Sequence, residues 1–306
     1  ALALLSPDVL ARYPEPFADT LKRRIAARLG VDPGCIALGC GSDELLEASF
    51  RLLVGPGRTL TWAEPTFSMV APFARGAGLV TSPVTLTSEG SVDADSLLGA
   101  AADAIYLCSP NNPTGGAIPD EVVRKLLESS RGPVFLDEAY VDFSDTASWA
   151  SRAPDLERLI VFRTFSKAWG LAGLRVGFAV AAPPLIRRLE AARGPYTVNA
   201  VAARVLLEVL EEGDGWITAR ASEAQAARTR LDVALRRLGL TPMRSDANFL
   251  FVPTPRAAQL AAGLLERGIR VRAFEGLPVF GDALRITVGP WPIMERLVSA
   301  LAEVVS

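Results

Sequence analysis

Val161-Phe162-Arg163-Thr164-Phe165-Ser166-Lys167-Ala168-Trp169-Gly170-Leu171 is an apolar, strand-like stretch that delivers one lysine into hydroxyl-bearing, glycine-rich surroundings. Arg175 follows in Gly173-Leu174-Arg175-Val176-Gly177. A lysine among apolar neighbours is desolvated, which disfavours its charged form and leaves a nucleophilic amine. Such an amine suits imine formation with a carbonyl. The hydroxyls of Thr164 and Ser166 and the guanidinium of Arg175 suit a phosphate held close by. The first hypothesis is therefore an aldehyde cofactor that carries a phosphate, a description that pyridoxal phosphate fits. The same run also reads as a surface lysine closing a strand, with Arg175 in an ordinary salt bridge, so the rest of the chain has to decide.

Working outward from that run, short apolar stretches alternate with longer helical patterns, which predicts α/β layering around a largely parallel sheet. Strands are expected over Cys35–Leu38, Thr59–Trp62, Leu79–Val84, Ala104–Cys108, Pro133–Asp137, Leu159–Phe162 and Arg175–Ala181. Helices are expected over Ser42–Leu53, with Ser42 as N-cap, and over Pro119–Ser130, with a proline in its first turn. From about Pro183 the texture changes to long Ala/Leu/Arg/Glu-rich helices over Pro184–Ala192, Ala200–Glu212 and Gly215–Leu238. A strand at Ala247–Val252, a helix near Arg256–Arg267, strands near Ile269–Arg272 and Leu284–Val288 and a helix from Pro292 complete the pattern. A further helix, Pro16–Leu29, is closed by Gly30. The expected organisation is a large domain over 31–190, with 1–30 and 191–306 forming an N-terminal segment and a small α+β C-terminal domain.

Composition narrows the function classes. The chain has 306 residues, half of them hydrophobic, 22% charged, with a net charge of -2. No basic stripe argues for nucleic acid, and no apolar run approaches the ~20 residues that span a bilayer. The opening Ala1-Leu2-Ala3-Leu4-Leu5 is short, lacks a basic flank and meets Pro7, a poor match to a signal peptide. Cys35, Cys40 and Cys108 contain no CxxC pair, and the expected compartment is cytoplasmic. Histidine is absent altogether. That removes Ser-His-Asp and Cys-His nucleophiles and His-ligated metal sites, so no metal is expected. Proton transfer falls to Lys, Asp, Glu, Tyr or water.

Four further segments sit at strand ends, where α/β sheets hold their ligands. Gly39-Cys40-Gly41-Ser42-Asp43-Glu44 turns from strand to helix and offers free N–H donors to an anion, or serves only as a tight connection. In Cys108-Ser109-Pro110-Asn111-Asn112-Pro113-Thr114-Gly115-Gly116 the residue before Pro113 is biased to an extended conformation. The Asn112 amide can then donate to a phenolate oxygen, or simply brace the turn. Val134-Phe135-Leu136-Asp137-Glu138-Ala139-Tyr140 ends a buried strand on Asp137, whose carboxylate needs a cationic partner. A protonated pyridine nitrogen or a structural arginine would serve. Tyr140 can reach the same cofactor's phenolic oxygen or lie in the core. Phe67, in Trp62-Ala63-Glu64-Pro65-Thr66-Phe67, can stack on a flat ring or fill the core.

Taken together with Tyr13-Pro14-Glu15-Pro16 and Leu284-Arg285-Ile286-Thr287-Val288-Gly289, these runs resemble the fold type I pyridoxal-phosphate aminotransferases, in particular the histidinol-phosphate aminotransferase group, in order and spacing over nearly the whole chain. The resemblance implies a three-layer α/β/α large domain with a mostly parallel sheet plus a smaller α+β domain, and pyridoxal 5'-phosphate as cofactor. It implies Lys167 as the imine-forming lysine that later shuttles the proton, and Asp137 as the partner of the pyridinium. Asn112 and Tyr140 would hydrogen-bond the ring oxygen. Ser42, Asp43, Thr164, Ser166 and Arg175 would hold the phosphate, and Phe67 takes a stacking position where many relatives have tyrosine. Tyr13 matches a tyrosine that reaches the neighbouring subunit's cofactor, which implies a homodimer with shared sites. Arg285 and Arg272 match substrate-side arginines. Relatives carry an N-terminal arm with an Asn-rich motif before the Tyr-Pro segment; here twelve residues precede Tyr13.

The reaction expected from this resemblance is transamination between L-histidinol phosphate and 2-oxoglutarate, since anionic substrates need a cationic clamp such as Arg272 and Arg285. An aromatic amino acid aminotransferase is the nearest alternative, followed by a threonine-phosphate-type decarboxylase. A non-catalytic regulatory module would need a basic DNA-binding segment for which the chain has no spare residues.

Overall fold

The structure, a computed structural model, describes residues 7–305. The apolar opening Ala1–Leu5 lies outside them. Strands form where β-branched and aromatic side chains alternate between two buried faces. They are β1 (Ile36–Gly39), β2 (Thr59–Glu64), β3 (Val80–Thr81), β4 (Val84–Thr85), β5 (Ala104–Cys108), β6 (Val134–Asp137), β7 (Leu159–Thr164) and β8 (Gly177–Val180) in one sheet. The remaining β9 (Phe249–Pro253), β10 (Arg272–Leu277) and β11 (Gly281–Thr287) form a second sheet.

The first sheet has the order β1-β8-β7-β6-β5-β2-β3, with β4 also pairing β2. Its central strands are parallel, while β8 runs antiparallel to both β7 and β1. Alternation divides its side chains between two layers. Ile105, Leu107, Val134 and Leu136 meet Leu21 and Ile25 of the helix Asp19–Leu29 and Val123 and Leu126 of the helix Asp120–Ser129. On the other face, Tyr106, Cys108, Phe135 and Phe162 meet Leu45 and Leu46 of the helix Gly41–Ser49 and Ile186 and Leu189 of the helix Pro183–Ala191. This is the expected three-layer α/β/α arrangement. Each fully buried Leu or Phe in it contributes about 1.5–3 kcal/mol. The second sheet, antiparallel in the order β10-β11-β9, has its own core of Leu250, Val252, Leu260, Leu284, Ile286 and Leu297.

Several expected boundaries are corrected. Leu79–Val84 is two short strands rather than one, because Pro83 has no N–H for the ladder with β2. The strand expected from Arg175 starts at Gly177, since Arg175 itself is left-handed with φ 54°. Ser42 does not cap its helix: Cys40 occupies that position, without a side-chain cap, and the helix gives way after Ser49 to a single π-turn, Phe50–Val54. The helices expected over Ala200–Glu212 and Gly215–Leu238 are one helix, Ala200–Arg237, capped by the Asn199 side chain. Its first half joins the large core through Leu206 and Leu210, and its second half joins the small one through Leu231 and Leu235. The strand expected near Ile269–Arg272 begins at Arg272 and forms a hairpin with β11. The helix expected from Pro16 starts at Asp19.

Candidate active site

Three parallel strands end side by side and place their last residues together. Register pairs Cys108 of β5 with Asp137 of β6, and Asp137 with Phe162 of β7, two residues short of Thr164. One pocket at this edge is lined by Ser42, Asp43, Phe67, Cys108, Asn112, Asp137, Ala139, Tyr140, Thr164, Ser166, Lys167 and Arg175. Ten of these are residues singled out in the sequence; Cys108 and Ala139 are the additions. A second cavity of about 570 Å³, with Trp216, Arg220, Arg230, Asn248 and Trp291 in its wall, also reaches Lys167.

Close backbone approach builds one end of the pocket. A Cβ on Gly177 would overlap the backbone nitrogen of Ser42. Gly41 has φ +81°, and a Cβ there would lie 2.8 Å from the Arg175 guanidinium. The helix that starts at Gly41 thus presents its unpaired N–H groups beside Arg175, Thr164 and Ser166. Ser166 N–H donates to Thr164 Oγ1 at 3.1 Å, and Arg175 lies 3.6 Å from Asp43 across a half-exposed gap. This is a cradle for a dianion.

The floor carries a buried carboxylate. Asp137 Oδ1 accepts from the Ala139 N–H at 2.9 Å, and Oδ2 accepts from the Tyr106 hydroxyl at 3.1 Å. No salt bridge among the described residues reaches it. Burial pushes its carboxyl up to about 6, against the pull of those two donors. A buried acid of this kind is suited to a cationic ring nitrogen. The Lys167 amine sits 5.3 Å from the Tyr140 ring centroid, and burial, reinforced by the charge of Arg285, lowers it below the usual lysine range. The Tyr140 phenol is pushed up to about 12 by burial, with Arg285 opposing.

The loop after β5 is braced by Asn111, not Asn112. The Asn111 amide donates to the Pro65 carbonyl at 2.9 Å and to Thr114 Oγ1 at 2.8 Å, and its carbonyl oxygen accepts from Thr66. That leaves Asn112 facing the pocket, where its Oδ1 accepts from Arg285 Nη1. Arg285 also lies over the Phe249 ring, which meets Tyr140 edge-on at 5.1 Å. Neither arginine is in the pocket lining: Arg285 reaches it through Asn112, and Arg272, paired with Arg285 in register, is exposed and packs on Phe274. Tyr13 is 84% exposed, stacks on Tyr196 at 4.9 Å and is not among the residues that line this chain's pocket. Tyr106 is the residue that sequence reading passed over. Its only signal was parity: it shares a strand face with Cys108, opposite Asp137.

The family model described as aminotransferase class I and II matches residues 3–301. The histidinol-phosphate aminotransferase of Thermoanaerobacter pseudethanolicus is 36% identical over 95% of this chain and 84% of its own length. That of Christiangramia forsetii is 34% identical over 96% of this chain and 85% of its own. Among solved structures, histidinol-phosphate aminotransferase from Sinorhizobium meliloti, in complex with pyridoxal-5'-phosphate, superposes with a TM-score of 0.86 at 27% identity, covering 98% of this chain and 87% of that one. L-threonine-O-3-phosphate decarboxylase from Porphyromonas gingivalis superposes with a TM-score of 0.85 at 25% identity, covering 97% and 91%.

Proposed function

The chain belongs to the class I and II aminotransferase family, and from that premise we propose that it uses pyridoxal 5'-phosphate to move the amino group of L-histidinol phosphate to 2-oxoglutarate. One observation carries the reading: a desolvated lysine, a buried carboxylate without a cation and a glycine-built anion cradle line a single pocket. The similarity to two histidinol-phosphate aminotransferases over nearly the whole chain supports the substrate. The site residues fit the cofactor: the Ser42 and Asp43 N–H groups with Thr164, Ser166 and Arg175 would hold its phosphate, and Asp137 its ring nitrogen. Asn112 and Tyr140 would hold the ring oxygen, and Phe67 would cover a ring face.

When bound, pyridoxal phosphate supplies an electron sink for negative charge at the substrate carbon that carries the amine. Lys167 is the base that takes the proton from that carbon, and burial, reinforced by the charge of Arg285, lowers its amine below the usual lysine range, which favours the neutral form. Asp137 stays anionic opposite a cation and keeps the sink charged. Arg285 orients the donor's anionic group, with Asn112 fixing the guanidinium. Arg272, its partner in register but outside the pocket lining, would contribute only as a second positive charge beyond the pocket wall. We further assign the chain to a cytoplasmic homodimer in which Tyr13 completes the partner's site.

The test is the visible absorption spectrum of the pyridoxal-phosphate-loaded protein, before and after L-histidinol phosphate without a keto acid. The reading expects a cofactor band that disappears with the amino donor and returns with 2-oxoglutarate. A band that ignores histidinol phosphate but responds to an aromatic amino acid moves the substrate. Carbon dioxide release would place the chain with the decarboxylases, and absence of any band would overturn the reading.

A further inference from the structure

We propose that Tyr106 is a positioning residue for the reaction: its buried hydroxyl holds Asp137 as an anion facing the pocket, so that the carboxylate is ready for the cofactor's ring nitrogen. The inference rests on the cofactor reading above and adds a residue outside the pocket wall. β5 and β6 are parallel neighbours with Cys108 opposite Asp137, so Tyr106 lies on the same sheet face, one pleat back. Its ring is 1% exposed and locked edge-on against Phe50 at 6.4 Å. A phenol buried there without an acceptor would be costly, and the acceptor is Asp137 Oδ2 at 3.1 Å.

The charged groups around Asp137 do not duplicate this role. Cys108, on the same face of β5, directs its thiol to the Pro110 carbonyl at 3.4 Å. Asp43, from the helix Gly41–Ser49, disfavours the Asp137 anion, while Lys167, after β7, favours it without a hydrogen bond. Two residues past the end of β6, the Ala139 N–H donates to Asp137 Oδ1. Tyr106 is thus the side-chain donor on this carboxylate among the described residues. It holds one oxygen while the backbone holds the other, which sets the carboxylate plane as well as its charge.

The experiment is Tyr106→Phe, which keeps the ring and removes only the hydroxyl. The dissociation constant for pyridoxal phosphate is titrated by visible absorption in parent and variant at pH 6 and pH 9, with circular dichroism to verify the fold. A hydrogen bond to a charged group is worth roughly ten- to a hundredfold in an equilibrium. The variant should therefore bind about tenfold more weakly at pH 6, where Asp137 must release a proton to pair. Near pH 9, where the acid is ionised in both proteins, the ratio should approach one. With the cofactor saturating, kcat falls while KM for the amino donor holds. In an Asp137→Asn background the substitution should change binding far less. A ratio of one at both pH values overturns the inference, and so does an equal loss at both, which would mark a purely structural tyrosine. If the parent binds no pyridoxal phosphate at all, the cofactor reading fails and the inference falls with it.

Discussion

Asp137 is held where an acid is costly, and that cost can be read as a dependence on pH. Burial raises its carboxyl to about 6, above the ordinary range near 4. Between those values the folded chain retains a proton that the unfolded chain has released, so stability without cofactor falls as pH rises through that window. Asn at 137 removes the ionisation; its carbonyl oxygen can still accept from Ala139 N–H, while its NH2 can only donate to the Tyr106 oxygen, which reverses that bond. Asp137→Asn is therefore expected to stabilise the cofactor-free protein above pH 6, by at most about 3 kcal/mol, and to lose this advantage below pH 4. Urea melts at pH 4 and pH 7.5 measure it; equal differences at both would reject this origin. The same variant should lose most transaminase activity, the familiar opposition of stability and function at a site. Asp137 was legible in the sequence because a carboxylate ending an apolar strand is conspicuous. Tyr106 was not, because an aromatic inside such a strand is ordinary core, and only the pairing of β5 with β6 shows where its hydroxyl goes.

The long helix Ala200–Arg237 shows why some elements escaped sequence reading. Gly213-Asp214-Gly215 resembles a break, since glycine costs about 1 kcal/mol relative to alanine inside a helix. The helix continues because its two halves are anchored in separate cores, the first by Leu206 and Leu210 and the second by Leu231 and Leu235. Tertiary packing overrides propensity there. The two glycines differ in reason. A Cβ on Gly213 would lie 2.9 Å from the ring of Trp169, two residues past Lys167, whereas nothing lies within 4 Å of one on Gly215. Gly215→Ala should stabilise by ~0.5–1 kcal/mol, while Gly213→Ala should destabilise by at least about 1 kcal/mol, because the clash with a buried indole exceeds the propensity gain. Thermal melts of the two variants should therefore shift in opposite directions, and a shared sign would refute this packing argument. The central strands of the large sheet were legible within one or two residues because alternation on two buried faces leaves a strong pattern. β10 was misplaced because half of its residues are exposed, none is buried and Glu275 and Gly276 dilute the signal, whereas the expected strand at Leu284–Val288 caught the buried part of β11 and missed its start at Gly281 and Asp282.

At the scale of the whole molecule, Tyr13 is not among the residues that line its own chain's pocket. It stands 84% exposed, stacked on Tyr196, beside an apolar groove of about 330 Å³ that Val9, Pro14, Leu21, Ala200 and Leu207 line. Leu10, Phe17 and Tyr196 are also exposed, at 73%, 41% and 42%. Large apolar side chains gathered at one surface fit burial against another protein surface better than solvent. If the partner is a second copy, Tyr13 works in the other chain's site and Lys167 in its own. Sedimentation should then give twice the chain mass, and Tyr13→Ala and Lys167→Ala should each be inactive as homodimers. Subunits of the two variants, mixed in equal amounts and allowed to exchange, should regain activity. Half of the dimers then pair unlike chains, and each such dimer has one site that combines an intact Lys167 with an intact Tyr13. The expected recovery is roughly a quarter of the parent activity, because a two-fold symmetric pair contributes its sites independently. A monomeric chain, or a mixture that stays inactive after exchange is verified by mass, would mean that Tyr13 serves no partner and that the pocket described within one chain is complete.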